Sequence, residues 1–261
     1  MRPSIVKRKL GSDESVLVVK ICFTDPNLVE LAGRMGFDCA WICLEHRALD
    51  PSVLDSMLRA GRAGNIDCII RLGPSALDEI PPLLEAGATG LMIPHVSSAE
   101  RARQVVEHAK FPPLGNRGLE TINADADFGL LPLDQYLKSA NDETFIVAQI
   151  EDTEAVERVD EIAAVKGLDV LFVGPADLSL SLGLPGQMTH PRVFEAVQRV
   201  ARACRQNGIA CGTSGINPDY TRKLFDAGVR YFTGASDYRG VVSGFREAQQ
   251  TYAPFGCRFE H

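Results

Sequence analysis

The chain has 261 residues, with 27 Lys and Arg against 34 Asp and Glu, a formal net charge of −7. That acidic balance excludes an extended nucleic-acid or anionic-membrane footprint. With 45% hydrophobic and 23% charged residues the composition is that of a soluble globular protein, not a disordered one. No run approaches the ~18 apolar residues of a membrane span. Arg2, Lys7, Arg8 and Lys9 at the start are not followed by the apolar stretch of a signal peptide. Seven cysteines, at 22, 39, 43, 68, 204, 211 and 257, form no Cys-x-x-Cys pair and no zinc-finger spacing. They read as reduced thiols of a cytoplasmic protein.

In chain order, eight short β-rich runs alternate with longer amphipathic stretches. Residues 15–23, 39–44, 67–72, 90–96, 144–151, 170–173, 209–213 and 230–233 are the expected strands. Apolar cores such as Leu17-Val18-Val19 and Leu171-Phe172-Val173 suit parallel strands covered on both faces. Pro26 and Pro51 stand at the first turn of the helices after the first two strands. Ser97 to Glu100 matches a capping box opening a helix towards Lys110. Val156, Val159, Ile162 and Ala163 lay an apolar stripe along one helix over 153–166, and Gly87 and Gly167 suit left-handed helix ends.

Eight β-then-α units in this length close most economically into a (β/α)₈ TIM barrel, with residues 1–261 as a single domain. The alternative, an open doubly wound sheet, would carry a Gly-x-Gly-x-x-Gly turn after the first strand, and that turn is missing. Residues 111–141 break the rhythm with Pro112-Pro113 and Gly115-Asn116-Arg117-Gly118. A connection of that length marks function or a partner contact.

A barrel's active site lies where its strands end. The strand ends read Glu45-His46-Arg47, Arg71, Pro94-His95, Gln149-Ile150-Glu151 and Gly174-Pro175-Ala176-Asp177, followed by two glycine turns at 212–215 and 234–236. Glu151 and Asp177 end consecutive strands, so either a hard cation such as Mg²⁺ or Mn²⁺ sits between them or they are capping carboxylates on a polar rim. His46 follows a strand beside an acid, which makes it a general-base candidate or a capping histidine. Arg71 ends an apolar strand, poised to grip a carboxylate or enolate oxygen, or buried in an ion pair. His95 is read as a local structural hydrogen-bonding group and Cys43 as a buried strand thiol rather than a nucleophile. Lys20, inside a strand, keeps a Schiff-base route open.

At these residues the chain resembles the HpcH/HpaI family of metal-dependent class II pyruvate aldolases. The resemblance rests on Gln149-Ile150-Glu151, the run from Leu168 through Gly174-Pro175-Ala176-Asp177 to Ser179, and Leu182-Gly183 to His190-Pro191. Gly36-Phe37-Asp38, Glu45-His46, Arg71, Gly87-Ala88 into Ile93-Pro94 and Gly115-Asn116-Arg117-Gly118 extend it over residues 15–245. It implies that Glu151 and Asp177 hold a divalent metal, Mg²⁺ or Mn²⁺ foremost, with Co²⁺ or Zn²⁺ as further options. Gln149 and the backbone around Ala176 would contact pyruvate or its enolate, Arg71 would steady developing negative charge, and His46 would be the base. Glu85 stands where the family has an aspartate that orients the histidine, often across a subunit interface. The family assembles as homohexamers, built from dimers that exchange C-terminal helices.

Four departures surround the aldehyde side. Cys43 replaces an aspartate, Glu85 is one methylene longer than the usual acid, Arg47 replaces a small residue and His95 a methionine. The implied reaction is reversible aldol cleavage of a 4-hydroxy-2-oxo acid to pyruvate and an aldehyde, with no nucleic-acid or membrane partner. An acyl-CoA lyase of the citryl- or malyl-CoA kind is the rival enzyme reading, although no clustered Lys/Arg loop offers a CoA phosphate site. Phosphorylated-sugar chemistry at the two glycine turns and an inactive barrel that binds 2-oxo acids are the others.

Overall fold

A computed structural model describes residues 2–259. Eight parallel strands close into a barrel in sequential order, each paired with its neighbours in the chain and β8 returning to β1. They are β1 (Val16–Ile21), β2 (Cys39–Cys43), β3 (Asp67–Arg71), β4 (Gly90–Ile93), β5 (Phe145–Ile150), β6 (Val170–Val173), β7 (Ala210–Ser214) and β8 (Val229–Ser236). The helices among the described residues are α1 (Ile5–Gly11), α2 (Pro26–Arg34), α3 (Pro51–Gly64), α4 (Ile80–Glu85), α5 (Ala99–Ala109) and α6 (Leu133–Glu143). They continue with α7 (Thr153–Glu157), α8 (Val159–Ala163), α9 (Pro175–Ser181), α10 (Pro191–Asn207), α11 (Pro218–Asp226) and α12 (Asp237–Tyr252). The expected (β/α)₈ barrel is the fold.

Local chemistry explains the helix starts and stops. Asp25 and Asp50 cap α2 and α3, each followed by proline at the first helical position, and each carboxylate accepts a backbone N–H of the first turn. The capping box shifts by one residue: Ser98, not Ser97, caps α5 and accepts from the Arg101 backbone N–H at 3.1 Å. The single helix expected over 153–166 is two, because Arg158 leaves helical geometry at φ −98° and ψ 11°. Gly87 and Gly167 adopt φ of +108° and +99°, the left-handed conformation that lets the chain turn from helix into the next strand.

Alternation along each strand divides the apolar residues into two cores. Val18, Trp41, Ile69, Met92, Val147, Phe172 and Tyr231 fill the barrel interior, while Val19, Ile42, Ile70, Leu91, Ile146 and Leu171 face the helices. Interior volume is shared between neighbours: a Cβ at Gly90 would lie 2.4 Å from the Phe145 ring, so the small residue makes room for the large one. Helix α1 closes the lower end, placing Val6 in the interior core. Asp67, fully buried there, accepts from the Ser4 hydroxyl at 2.7 Å and the Val6 N–H at 2.9 Å and pairs with Arg2.

Two regions depart from a regular barrel. The irregular connection expected over 111–141 contains all but the last two residues of α6 and lies at the lower end, since it leads from α5 into the start of β5. It has its own small core of Phe111, Ala126, Tyr136 and Ala140. Within it the Arg117 guanidinium and the Tyr136 hydroxyl both donate to Asp125 Oδ2 at 2.7 Å. Helix α12, by contrast, buries none of its residues, and Phe245 is 69% exposed. The outer face it leaves beside β8 and β1 is a groove of about 690 Å³, lined by Leu17, Phe225, Phe232 and Arg239 among others. Leu17 is the outward-facing β1 residue that remains 45% exposed. Tyr252, Phe255 and Phe259 follow the same exposed course, and His261 lies outside the described residues.

Lys110 is 2% exposed at the head of the long connection and donates through Nζ to the carbonyl oxygens of Asn141, at 2.7 Å, and Thr144. Burial pushes its ammonium down to about 8 from 10.5, against partial compensation from Asp169. Below pH 8 both folded and unfolded chains carry the proton. From there to 10.5 the unfolded chain holds more of it, so stability rises with pH. Relative to Lys110→Met, the wild type is expected to gain roughly 3 kcal/mol across that window. Thermal unfolding of both proteins from pH 7.5 to 10.5 checks this, and parallel curves would contradict it.

Candidate active site

The inward-facing positions one step above the apolar interior form a polar layer at the upper end. Two residues beyond Val18, Trp41, Ile69 and Val147 in their strands come Lys20, Cys43, Arg71 and Gln149. The same parity carries β2 on to Glu45 and β5 on to Glu151. The strand ends singled out in the sequence therefore converge on one opening.

Arg71 is 5% exposed and stands at the centre of a tight group. Its Nε lies 3.0 Å from Glu45 Oε2, while its N–H groups donate to Cys43 Sγ at 3.4 and 3.1 Å. The guanidinium also lies 5.0 Å from the centre of the Trp41 ring, and Lys20 Nζ lies 4.7 Å from the same ring. Cys43 thus serves as a polarisable acceptor for the arginine. Glu45, which the sequence presents as the acidic neighbour of His46, is the partner of Arg71, and its strand parity is the signal for that. His46 sits at the rim, its Nε2 3.7 Å from Glu45 Oε2 and its side chain 63% exposed.

Glu151 is 3% exposed. Its Oε1 accepts from Gln149 Nε2 at 2.9 Å, and its Oε2 accepts from the His95 backbone N–H at 3.1 Å. Burial raises its carboxyl above the usual range, opposed by the His95 hydrogen bond, while the nearby Asp177 charge raises it further. Gly174 makes this placement feasible, because a Cβ there would meet Glu151 Oε1 at 2.4 Å. Asp177 stands in the first turn of α9, with Ala176 before it. His95, read from sequence as a local hydrogen-bonding group, is more central than that. Its backbone adopts φ +51° and its ring lies 3.8 Å from Glu45 and 3.7 Å from Glu151. Nothing in the sequence signals that backbone conformation.

Glu85 is the residue that the chain does not bring to the mouth. It ends α4 at the lower end of the barrel, where burial raises its carboxyl and Arg117 opposes the rise. A cavity of about 670 Å³ lined by Lys7, Asp169, Arg205 and Arg230 also lies at that end, away from the strand-end carboxylates.

The mouth suits a hard divalent cation. Its donors are oxygens, the two acids repel each other in the absence of a positive charge, the Gly174 cradle admits the buried carboxylate, and Gln149 Oε1 is buried with no hydrogen-bond partner among the described residues. Among the described residues no cluster of three or more His, Cys, Asp and Glu side chains is arranged to bind a metal. Two carboxylates alone would leave most coordination positions of a Mg²⁺-type ion to water and substrate.

Comparison with known proteins matches the same frame. The sequence profile of the HpcH/HpaI aldolase/citrate lyase family covers residues 21–242. A hydroxypyruvate/pyruvate aldolase of Sagittula stellata is 32% identical over 80% of this chain and 82% of its own. A 2-keto-3-deoxy-L-rhamnonate aldolase of Escherichia coli is 32% identical over 86% and 84% respectively. The crystal structure of an HpcH/HpaI aldolase from Desulfitobacterium hafniense superposes with a TM-score of 0.87 at 30% identity, covering 94% of this chain and 95% of that one. The chain belongs to the HpcH/HpaI aldolase/citrate lyase family.

Proposed function

We propose that this chain is a divalent-metal-dependent carbon–carbon lyase that cleaves a 4-hydroxy-2-oxo acid reversibly to pyruvate and an aldehyde. One observation carries the reading: buried Glu151, seated against Gly174 and close to Asp177, shares a single opening with the buried Arg71 guanidinium. The activities named for the Sagittula and Escherichia relatives support it.

Glu151 and Asp177 would hold the metal, Mg²⁺ or Mn²⁺ foremost, which supplies Lewis-acid stabilisation of charge on the ketone oxygen. Gln149 and the backbone N–H of Ala176, in the first turn of α9, orient the 2-oxo acid end. His46 at the rim takes the proton of the C4 hydroxyl. The C4–O bond becomes the aldehyde carbonyl as the C3–C4 bond breaks, and the freed electron pair passes into the pyruvate enolate. Arg71, held rigid by Glu45, Cys43 and Trp41, offers fixed positive charge to the oxyanion. A proton returned to C3 gives pyruvate.

Assembly belongs to the same proposal. The exposed apolar residues of α12 and the open groove beside Leu17 support exchange of C-terminal helices between two copies. Dimers joined into a hexamer would let Glu85 reach the His46 of a neighbouring copy, since within one chain the two lie at opposite ends. The cytoplasm is part of the same proposal, supported by the buried Cys39, Cys43, Cys68, Cys204 and Cys211 as free thiols. No helix among the described residues is long and apolar enough to cross a membrane.

Pyruvate release from a panel of 4-hydroxy-2-oxo acids should stop with chelator and return with Mg²⁺ or Mn²⁺; turnover indifferent to chelator would rule out the metal. Arg71→Ala is expected to lower kcat by about 10²–10³-fold, and a near-wild-type rate would remove Arg71 from the mechanism. Leu17→Asp places a charge in the groove without burying it in the single chain. Its expected effect is a smaller mass by light scattering with the circular dichroism of a barrel retained. An unchanged mass would refute helix exchange at this face.

A further inference from the structure

The charges around the mouth are not evenly matched. Lys20, Arg47 and Arg71 gather on the β1–β3 side, and Glu45 is the carboxylate that meets Arg71 there. Lys20 makes no hydrogen bond or ion pair among the described residues; its Nζ has only the Trp41 ring, at 4.7 Å. Arg47, half-buried on the rim beyond β2, likewise has no hydrogen-bond or ion-pair partner among them. The groups that act most strongly on Lys20 are Arg71, Cys43, Cys22 and Arg47; the carboxylate nearest the end of its strand, Asp237, is held by the Cys22 and Phe23 backbone N–H groups at 2.8 Å and forms no ion pair with Lys20. Burial and then the Arg71 charge lower its ammonium, as expected of a half-buried cation lacking a counter-ion.

Strand order gives this imbalance a direction. In a closed barrel of eight sequential strands, β1 stands opposite β5 and β2 opposite β6. The carboxylates Glu151 and Asp177 follow β5 and β6, and the unmatched cations Lys20 and Arg47 lie on and beyond β1 and β2. A 4-hydroxy-2-oxo acid whose 2-oxo acid end is bound on the β5–β6 side extends its other end across the mouth towards Lys20 and Arg47.

We infer that Lys20 and Arg47 form an anion subsite for the aldehyde half, so that the preferred substrates carry a carboxylate or phosphate on the carbon chain beyond C4. The inference rests on the aldolase reading and adds the class of aldehyde. A terminal anion would satisfy two cations that otherwise stand unpaired in a partly desolvated site. A neutral aldehyde of equal length would leave them as they are.

The test runs the reaction in the addition direction, with pyruvate, Mg²⁺ and paired aldehydes: succinic semialdehyde against the neutral, length-matched pentanal, and glyceraldehyde 3-phosphate against its neutral parent glyceraldehyde. The expected wild-type result is a kcat/KM for one anionic aldehyde at least about tenfold above its neutral counterpart. Which anion wins distinguishes carboxylate from phosphate. In Lys20→Met combined with Arg47→Met the preference should collapse, mostly through KM for the anionic aldehyde, and Lys20→Arg should retain it with the same fold. Exchange of pyruvate methyl protons with deuterated solvent, measured on the wild type with no aldehyde present, reports the enolate chemistry separately. Exchange without any preference for anions overturns the subsite and leaves the aldolase reading standing, as does a preference that survives the double substitution. Absence of both exchange and addition overturns the aldolase reading and the subsite with it.

Discussion

Closure of eight parallel strands is the constraint on which the rest of this molecule depends. Once the sheet returns on itself, alternate side chains of every strand must share one enclosed interior, and two residues of advance along a strand move a side chain one layer up. The apolar layer around Trp41, Phe172 and Tyr231 is therefore also the floor of the polar layer above it. Lys20, Cys43, Arg71 and Gln149 reach a common mouth because they follow apolar residues at the same parity. Their positions are set by the packing of the floor, which leaves long side chains few alternative directions.

Electrostatics at that mouth follow from partial dehydration. Glu151 is buried, receives two hydrogen bonds and still has its carboxyl raised, because burial outweighs them and Asp177 adds repulsion. A carboxylate in that condition gains most from a cation. Across the mouth the excess is of the opposite sign, with Arg71 matched by Glu45 while Lys20 Nζ meets an aromatic ring and forms no ion pair among the described residues. On the proposed reading, one end of the opening takes a metal and a 2-oxo acid, and the other an additional negative charge.

The remaining elements divide between self-contained and incomplete surfaces. At the lower end, the Arg117–Asp125–Tyr136 group and Lys110 satisfy polar atoms inside the long connection, which makes that region a packed unit rather than a loose loop. The C-terminal helix is the reverse case. Its apolar side chains and the groove beside Leu17 are both exposed within one chain, and Glu85 is remote from His46. These features are the observations on which the proposed assembly of several copies rests.

Much of the architecture was legible in the amino-acid order. Strand and helix alternate with periodicities that follow from backbone geometry alone, and eight such units in 261 residues leave little but a barrel. The strand-end residues Arg71, Gln149, Glu151 and Asp177 were recognisable because the end of a barrel strand is a fixed place in space. Other features depended on contacts between segments far apart in the chain. The Cys43–Arg71–Glu45 group, the left-handed turn that brings His95 between two acids, the space at Gly174 for Glu151, and the unpaired charge of Lys20 are all of this kind. Local periodicity determines which face of an element is apolar, whereas distances, burial and unmatched charge arise only when several elements meet, and only the tertiary structure decided those.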